Sequence, residues 1–282
     1  GTETTIGTKS TQDPMFIRFS SQEDINTYAP SATNTAGTQR LADGSKIVGA
    51  IRGRDAIYVW TDTALFTMRF VGPPFTFSFQ QVGTNCGLIG QNAAVEVDGT
   101  AYWMSENGFF RYTGKLESLP CLVEDHVYDD INTIPKQHIN AGLNNLFGEI
   151  MWFYPSGTNT EIDKYVLYNY LENVWSIGTT DDGFIRTAWD QASILEYPIA
   201  ASKNDSSNLN YVYNHEKGHG NDGSNFTAYI ESSDFDLEPD GERFTFISKL
   251  IPDVQFRDQQ GTSDSVTYTI KGRDYPLQDL TT

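Results

Sequence analysis

The sharpest chemical signal in the chain is the run His215-Glu216-Lys217-Gly218-His219. Two histidines four apart, with a glutamate after the first, match the H-E-x-x-H string of zinc hydrolases. There a helix turns both imidazoles toward one metal and sets the carboxylate to activate its water. The flanking sequence withholds that helix. The string follows Tyr211-Val212-Tyr213, contains Gly218 and runs into Gly220-Asn221-Asp222-Gly223, a composition that makes turns. The expectation is a solvated hairpin loop that holds no metal.

The alternating acids Asp234, Asp236, Glu238 and Asp240, followed by Gly241, resemble the opening of a calcium loop. Pro239 takes the position that needs glycine, and no glutamate stands at the twelfth. The alternation reads equally well as a strand with outward carboxylates. The adjacent pairs Asp129-Asp130 and Asp181-Asp182 could suggest acid/base catalysis, but adjacency puts their side chains on different faces. The chain has no G-x-S-x-G elbow, no Walker-type phosphate loop and no Ser-x-Asp-x-Gly-x-Thr-Trp turn of sialidase propellers. Cys86 and Cys121 lack the paired spacing of a zinc or redox site and read as small apolar residues in a reducing compartment. No catalytic, cofactor-binding or metal residue is assigned, and the chain reads as a non-enzyme.

Charge narrows the partners. Lys and Arg number 19 against 37 Asp and Glu, a formal net charge of −18. Binding DNA by phosphate neutralisation needs clustered cations. An acidic surface instead keeps a protein soluble and repels polyanions. No stretch approaches the apolar length needed to span a bilayer, and no basic-then-apolar signal segment opens the chain.

The elements that would position these residues are strands. Aromatics make up 13% of the 282 residues, and with Val, Ile and Thr they fit a pleated, half-buried surface. An internal repeat is present: Ile57-Tyr58-Val59-Trp60-Thr61-Asp62-Thr63-Ala64-Leu65-Phe66 aligns without gaps on Ala101-Tyr102-Trp103-Met104-Ser105-Glu106-Asn107-Gly108-Phe109-Phe110, at an offset of 44. Each copy has an incoming strand, Ile47 to Ile51 or Ala94 to Val97, and Asp98-Gly99 is a strong hairpin signal. Three antiparallel strands per copy are expected. A looser third copy spans Ile150 to Ile177, and a fainter fourth uses Tyr197 to Ala201 and Tyr211 to Tyr213.

One helix is predicted over Val123 to Asn132, from Val123, Val127 and Ile131 at i+4 spacing with Pro135 beyond. Longer strand-like runs at Phe226 to Phe235, Arg243 to Phe256 and Val266 to Lys271 follow a soft boundary near residue 222. The predicted fold is all-β: antiparallel propeller-like repeats over residues 1–222, with one short helix, and a C-terminal β extension over 223–282. The abrupt ends at Gly1 and Thr282 suit a piece of a longer product.

Several stretches in order resemble phage virion proteins. They include Thr11-Gln12-Asp13-Pro14 leading to Ile17-Arg18-Phe19-Ser20, Val71-Gly72-Pro73-Pro74-Phe75, and Phe109-Phe110-Arg111-Tyr112-Thr113-Gly114. Further along come Trp152-Phe153-Tyr154, Tyr165-Val166-Leu167-Tyr168-Asn169-Tyr170 and Ala228-Tyr229-Ile230-Glu231-Ser232-Ser233-Asp234-Phe235-Asp236. Together they resemble the β-propeller tail nozzle, or tail tubular, protein of short-tailed bacteriophages. The resemblance implies a virion tail location after synthesis in the host cytoplasm, and self-assembly into a ring, a hexamer in that family. The implied partners are head-to-tail adaptor or portal proteins, other tail proteins, and DNA that passes without sticking. It brings no catalytic residue and no cofactor.

On this reading Asp62, Glu106, Asp181 and Asp182, in turns, are the candidate acidic channel or rim residues. The alternative is a host-recognition or carbohydrate-binding propeller, resting on Trp175, Trp189 and Tyr213 as exposed rings on which sugars could stack.

Overall fold

The computed structural model describes residues 2–6, 8–180, 185–191, 194–204, 209–218, 230–232, 246–253 and 266–273. The chain divides into two compact units, Gly1–Gly218 and His219–Thr282. Among the described residues every strand and helix belongs to the first.

That unit is built from antiparallel sheets. Short strands come first: β1 (Thr2–Glu3) pairs with β2 (Gln12–Asp13), and β3 (Phe16–Phe19) pairs with β4 (Gly37–Arg40). Sheet I then runs β5 (Ile47–Arg52), β6 (Ile57–Thr61), β7 (Ala64–Gly72), β8 (Thr76–Thr84), each strand paired with the next. Sheet II repeats the meander with β9 (Ala94–Val97), β10 (Thr100–Ser105), β11 (Gly108–Tyr112) and β12 (Leu116–Leu119). Sheet III does so with β13 (Asn140–Asn144), β14 (Glu149–Tyr154), β15 (Lys164–Asn169) and β16 (Val174–Thr179). Sheet IV has β17 (Ile185–Asp190), β18 (Ile199–Asn204) and β19 (Leu209–Asn214).

The sequence repeat survives at the level of paired residues. Trp60 stands opposite Leu65 in sheet I, and Met104 opposite Phe109 in sheet II, positions related by the same shift along the chain. Asp98 and Gly99 join β9 to β10 with φ of 51° and 86°, the two positive values that a tight hairpin requires. Sheets I to III hold four strands each rather than three. The extra strands escaped the pattern because β12 is short and β8 mixes Thr, Ser and Gln with its aromatics.

The first strands β5, β9, β13 and β17 neighbour one another in succession, and an isolated parallel bridge joins Asn92 to Asn140. Innermost propeller strands stand in this way. Among the described residues the four sheets do not close into a ring.

Alternation along the strands builds the core. On β6, Tyr58 and Trp60 face a cluster shared by sheets I, II and III, while Val59 faces the other way onto Met15 and Leu41 beneath β3–β4. The outer face of sheet I is therefore covered by a two-stranded hairpin. On β14, Ile150, Trp152 and Tyr154 join the large cluster, while Met151 and Phe153 meet Trp189 of sheet IV.

The helix is α1, Glu124–Tyr128, shorter than the Val123 to Asn132 expectation. The spacing still picked the packed side, since Val127 is buried and Val123 and Ile131 rest on the core. Ile131 lies beyond it, its N–H still donating to Val127 O at 2.9 Å, and bridges to Ser156. No helix among the described residues is long and apolar enough to cross a membrane. The runs expected as C-terminal strands lie mostly outside the described residues, which there comprise only 230–232, 246–253 and 266–273.

Candidate functional site

Sheet IV and its exit loop gather the side chains with the most chemical potential. His215 follows β19 and its backbone N–H donates to Pro198 O at 2.8 Å, which fixes the ring against Trp189 at a centroid distance of 4.7 Å. Arg186 on β17 donates from Nε to His215 Nε2 at 2.9 Å, and its guanidinium lies 5.0 Å from the Tyr213 ring centre. Burial, with the Arg186 charge beside it, pushes His215 down to about 4. The imidazole is thus neutral, and its Nε2 lone pair is already engaged.

The rest of the H-E-x-x-H string is a turn. Glu216 has φ of 59° and Gly218 of 81°, so no helix aligns the residues four apart. His219 lies outside the described residues. The Glu216 carboxylate accepts from the buried Asn144 amide (3.3 Å), which also donates to Glu149 (3.2 Å). Burial and the Glu216 charge push Glu149 up. Sequence reasoning missed both Arg186 and Asn144, because each reaches its partner from another strand of the fold.

The candidate acidic residues have separate duties. Asp62 sits in the β6–β7 turn and accepts from the Ser45 and Lys46 backbone N–H groups (2.8 and 3.5 Å) and from Ser45 Oγ. Burial would raise its carboxyl, but the Ser45 hydrogen bonds outweigh that and hold it below the ordinary value. It clamps the loop that leads into β5. Glu106, in the equivalent β10–β11 turn, is ion-paired with Lys136. The structure does not bring these two together into one site. Asp181, Asp182 and the calcium-like run Asp234 to Gly241 lie outside the described residues. Asp130 is taken by Lys164 at 2.6 Å. The charged residues of the four first strands in the described structure are Arg52, Glu96, Arg186 and Asp190, with signs in balance.

The rings proposed for sugar stacking are tied into packing. Trp175 is 9% exposed and donates from Nε1 to Pro120 O (2.8 Å). Trp189 donates to Leu143 O (2.9 Å), presses on Gly142 where a Cβ would collide with it, and meets Phe153 as well as His215. Tyr213 is half-buried under Arg186. Exposed Trp175 and Trp189 platforms are therefore corrected to inter-sheet anchors, for strand alternation turns both indoles inward.

A cleft of about 340 Å³ between the first turns of sheets I and II is lined by Arg52, Arg54, Glu96 and Asp98. Both cysteines are free, Cys86 buried and Cys121 half-buried, and burial pushes both thiols up to about 11, which leaves them unreactive near neutral pH.

No family model and no curated protein matches the chain. Among solved structures, the extracellular domain of a putative one-component system from B. thetaiotaomicron is similar with a TM-score of 0.40 and 13% identity. The match covers 68% of this chain and 23% of that one, a likeness too slight to bear on function.

Proposed function

We propose that this chain is a structural protein of a bacteriophage virion: a tail nozzle subunit that assembles into a ring and lines or extends the channel through which DNA leaves. The supporting observation is the use made of its aromatic side chains. Trp103, Trp152, Trp175 and Trp189 each donate an indole N–H to a backbone carbonyl elsewhere in the fold, binding sheet to sheet or sheet to loop. These four rings make a stiff scaffold and are not themselves platforms for a sugar.

The −18 charge and the run of phage-like stretches fit the same reading. The partners are then further copies of the chain, the adaptor or portal above it, and DNA in transit. Electron cryomicroscopy of purified particles tests this directly. A closed ring of this chain around the tail channel is expected; its absence from the particle, or a position wholly outside the channel, overturns the reading.

A further inference from the structure

The β7–β8 hairpin outruns its own sheet. β6 pairs with β7 from Leu65 to Met68, while β7 and β8 continue pairing out to Gly72 and Thr76. Phe77 and Phe79 turn back onto Phe19. At the tip, however, Phe70, Val71 and Phe75 are 65%, 54% and 77% exposed, with Pro73 and Pro74 between them. Single exposed apolar residues need no explanation, but a cluster of them on a projecting tip marks a contact surface. The local charge is also unlike the rest of the chain. No Asp or Glu occurs between Asp62 and Glu96, and Arg69, exposed at the base of the tip, is the one charged residue in that stretch.

A second apolar patch, on sheet III, has the opposite surroundings. The β13–β14 turn carries Leu146 and Phe147, 49% and 52% exposed, and the β15–β16 turn carries Leu171 at 74%. The two turns touch, since Leu171 packs over Gly148 and the Tyr170 N–H donates to Gly148 O at 2.9 Å. Exposed Glu172 follows Leu171 directly.

We infer that the hairpin tip of one copy docks on the Leu146–Phe147–Leu171 patch of a second copy, with Arg69 set against Glu172. Charge complementarity selects the occupant. At a net charge of −18 two copies repel on balance, whereas the hairpin's own residues carry one cation and no acid and match an apolar patch edged by a carboxylate on the same molecule. The apolar side chains supply the affinity and the ion pair supplies the register. Because knob and socket are different surfaces, the contact is heterologous; it repeats head to tail and closes into a ring where the rotation allows. Its biological setting rests on the ring-subunit reading above, but the contact itself does not.

Sedimentation of the full chain across a concentration series tests the contact, with thermal melting as the check on folding. Phe75→Ser is expected to weaken self-association about 30-fold without moving the melt, as a central apolar anchor does. Arg69→Glu and Glu172→Arg should each weaken it about tenfold, and the double variant should recover most of that loss. A wild-type chain that stays monomeric, association indifferent to Phe75→Ser, or a double variant no better than the singles overturns the contact. Rings that survive Phe75→Ser overturn the contact and leave the ring reading standing. Open filaments abolished by Phe75→Ser do the reverse.

Discussion

Three buried indoles in this core differ in one respect. Trp103 Nε1 donates to Cys86 O (2.8 Å) and Trp152 Nε1 to Ala93 O (3.1 Å), while Trp60, equally buried, has no partner for its Nε1 among the described residues. Replacing an indole by a benzyl ring removes similar volume at each site, but at Trp103 it also strands a buried carbonyl. Trp103→Phe should therefore cost about 1 kcal/mol more than Trp60→Phe in urea unfolding. Equal costs would mean the indole bond contributes nothing. His215 offers a second test. Its pKa in the fold, about 4, lies below the ordinary 6.5, so between those values the unfolded chain binds the proton that the native one refuses. That stability is present above pH 6.5 and lost as pH falls toward 4. The melting temperature of wild type should drop more steeply over this window than that of His215→Gln, and parallel curves would refute the assignment.

At the scale of elements, close approach decides where glycine must stand. A Cβ on Gly87 would overlap the Asp62 carbonyl and the Thr63 N–H, both backbone and both held by the β6–β7 turn. Gly87→Ala should destabilise by about 1–3 kcal/mol, read from the urea midpoint, while Gly114→Ala, with open space around it, lacks this overlap and carries only the strain of its φ of 106°. Equal, small effects would show that the turn gives way. The same packing explains which strands were legible. The middle strands of sheets I and II announce themselves as apolar runs because both their faces are buried between neighbours. β13, Asn140–Asn144, was not legible: Gly142 makes room for Trp189, and Asn140 and Asn144 are buried polar residues, so no apolar period remains. Trp175 and Trp189 were misread as exposed for a related reason. Their strands lie next to turns and carry few other bulky residues, yet alternation sends these two rings inward.

Charge acts over the whole molecule, and here the sequence was informative about sign but not placement. The excess of acids was plain from composition, yet Asp62 is absorbed by the loop it clamps and Glu106 by Lys136, so turn position alone did not identify free surface charge. What survives is the net balance. A chain at −18, with no run of Lys and Arg in its sequence, is expected to release too few counterions to hold a DNA backbone. At physiological salt the repulsion expected between an acidic surface and a polyanion reaches only about 8 Å. In a gel-mobility assay the full chain should leave duplex DNA unretarded even at about 50 mM salt, where phosphate contacts are strongest. Retardation that weakens steeply as salt rises would reveal a cationic patch engaging several phosphates. A wall made of such patches would grip DNA rather than let it slide, and the nozzle reading would fail with it.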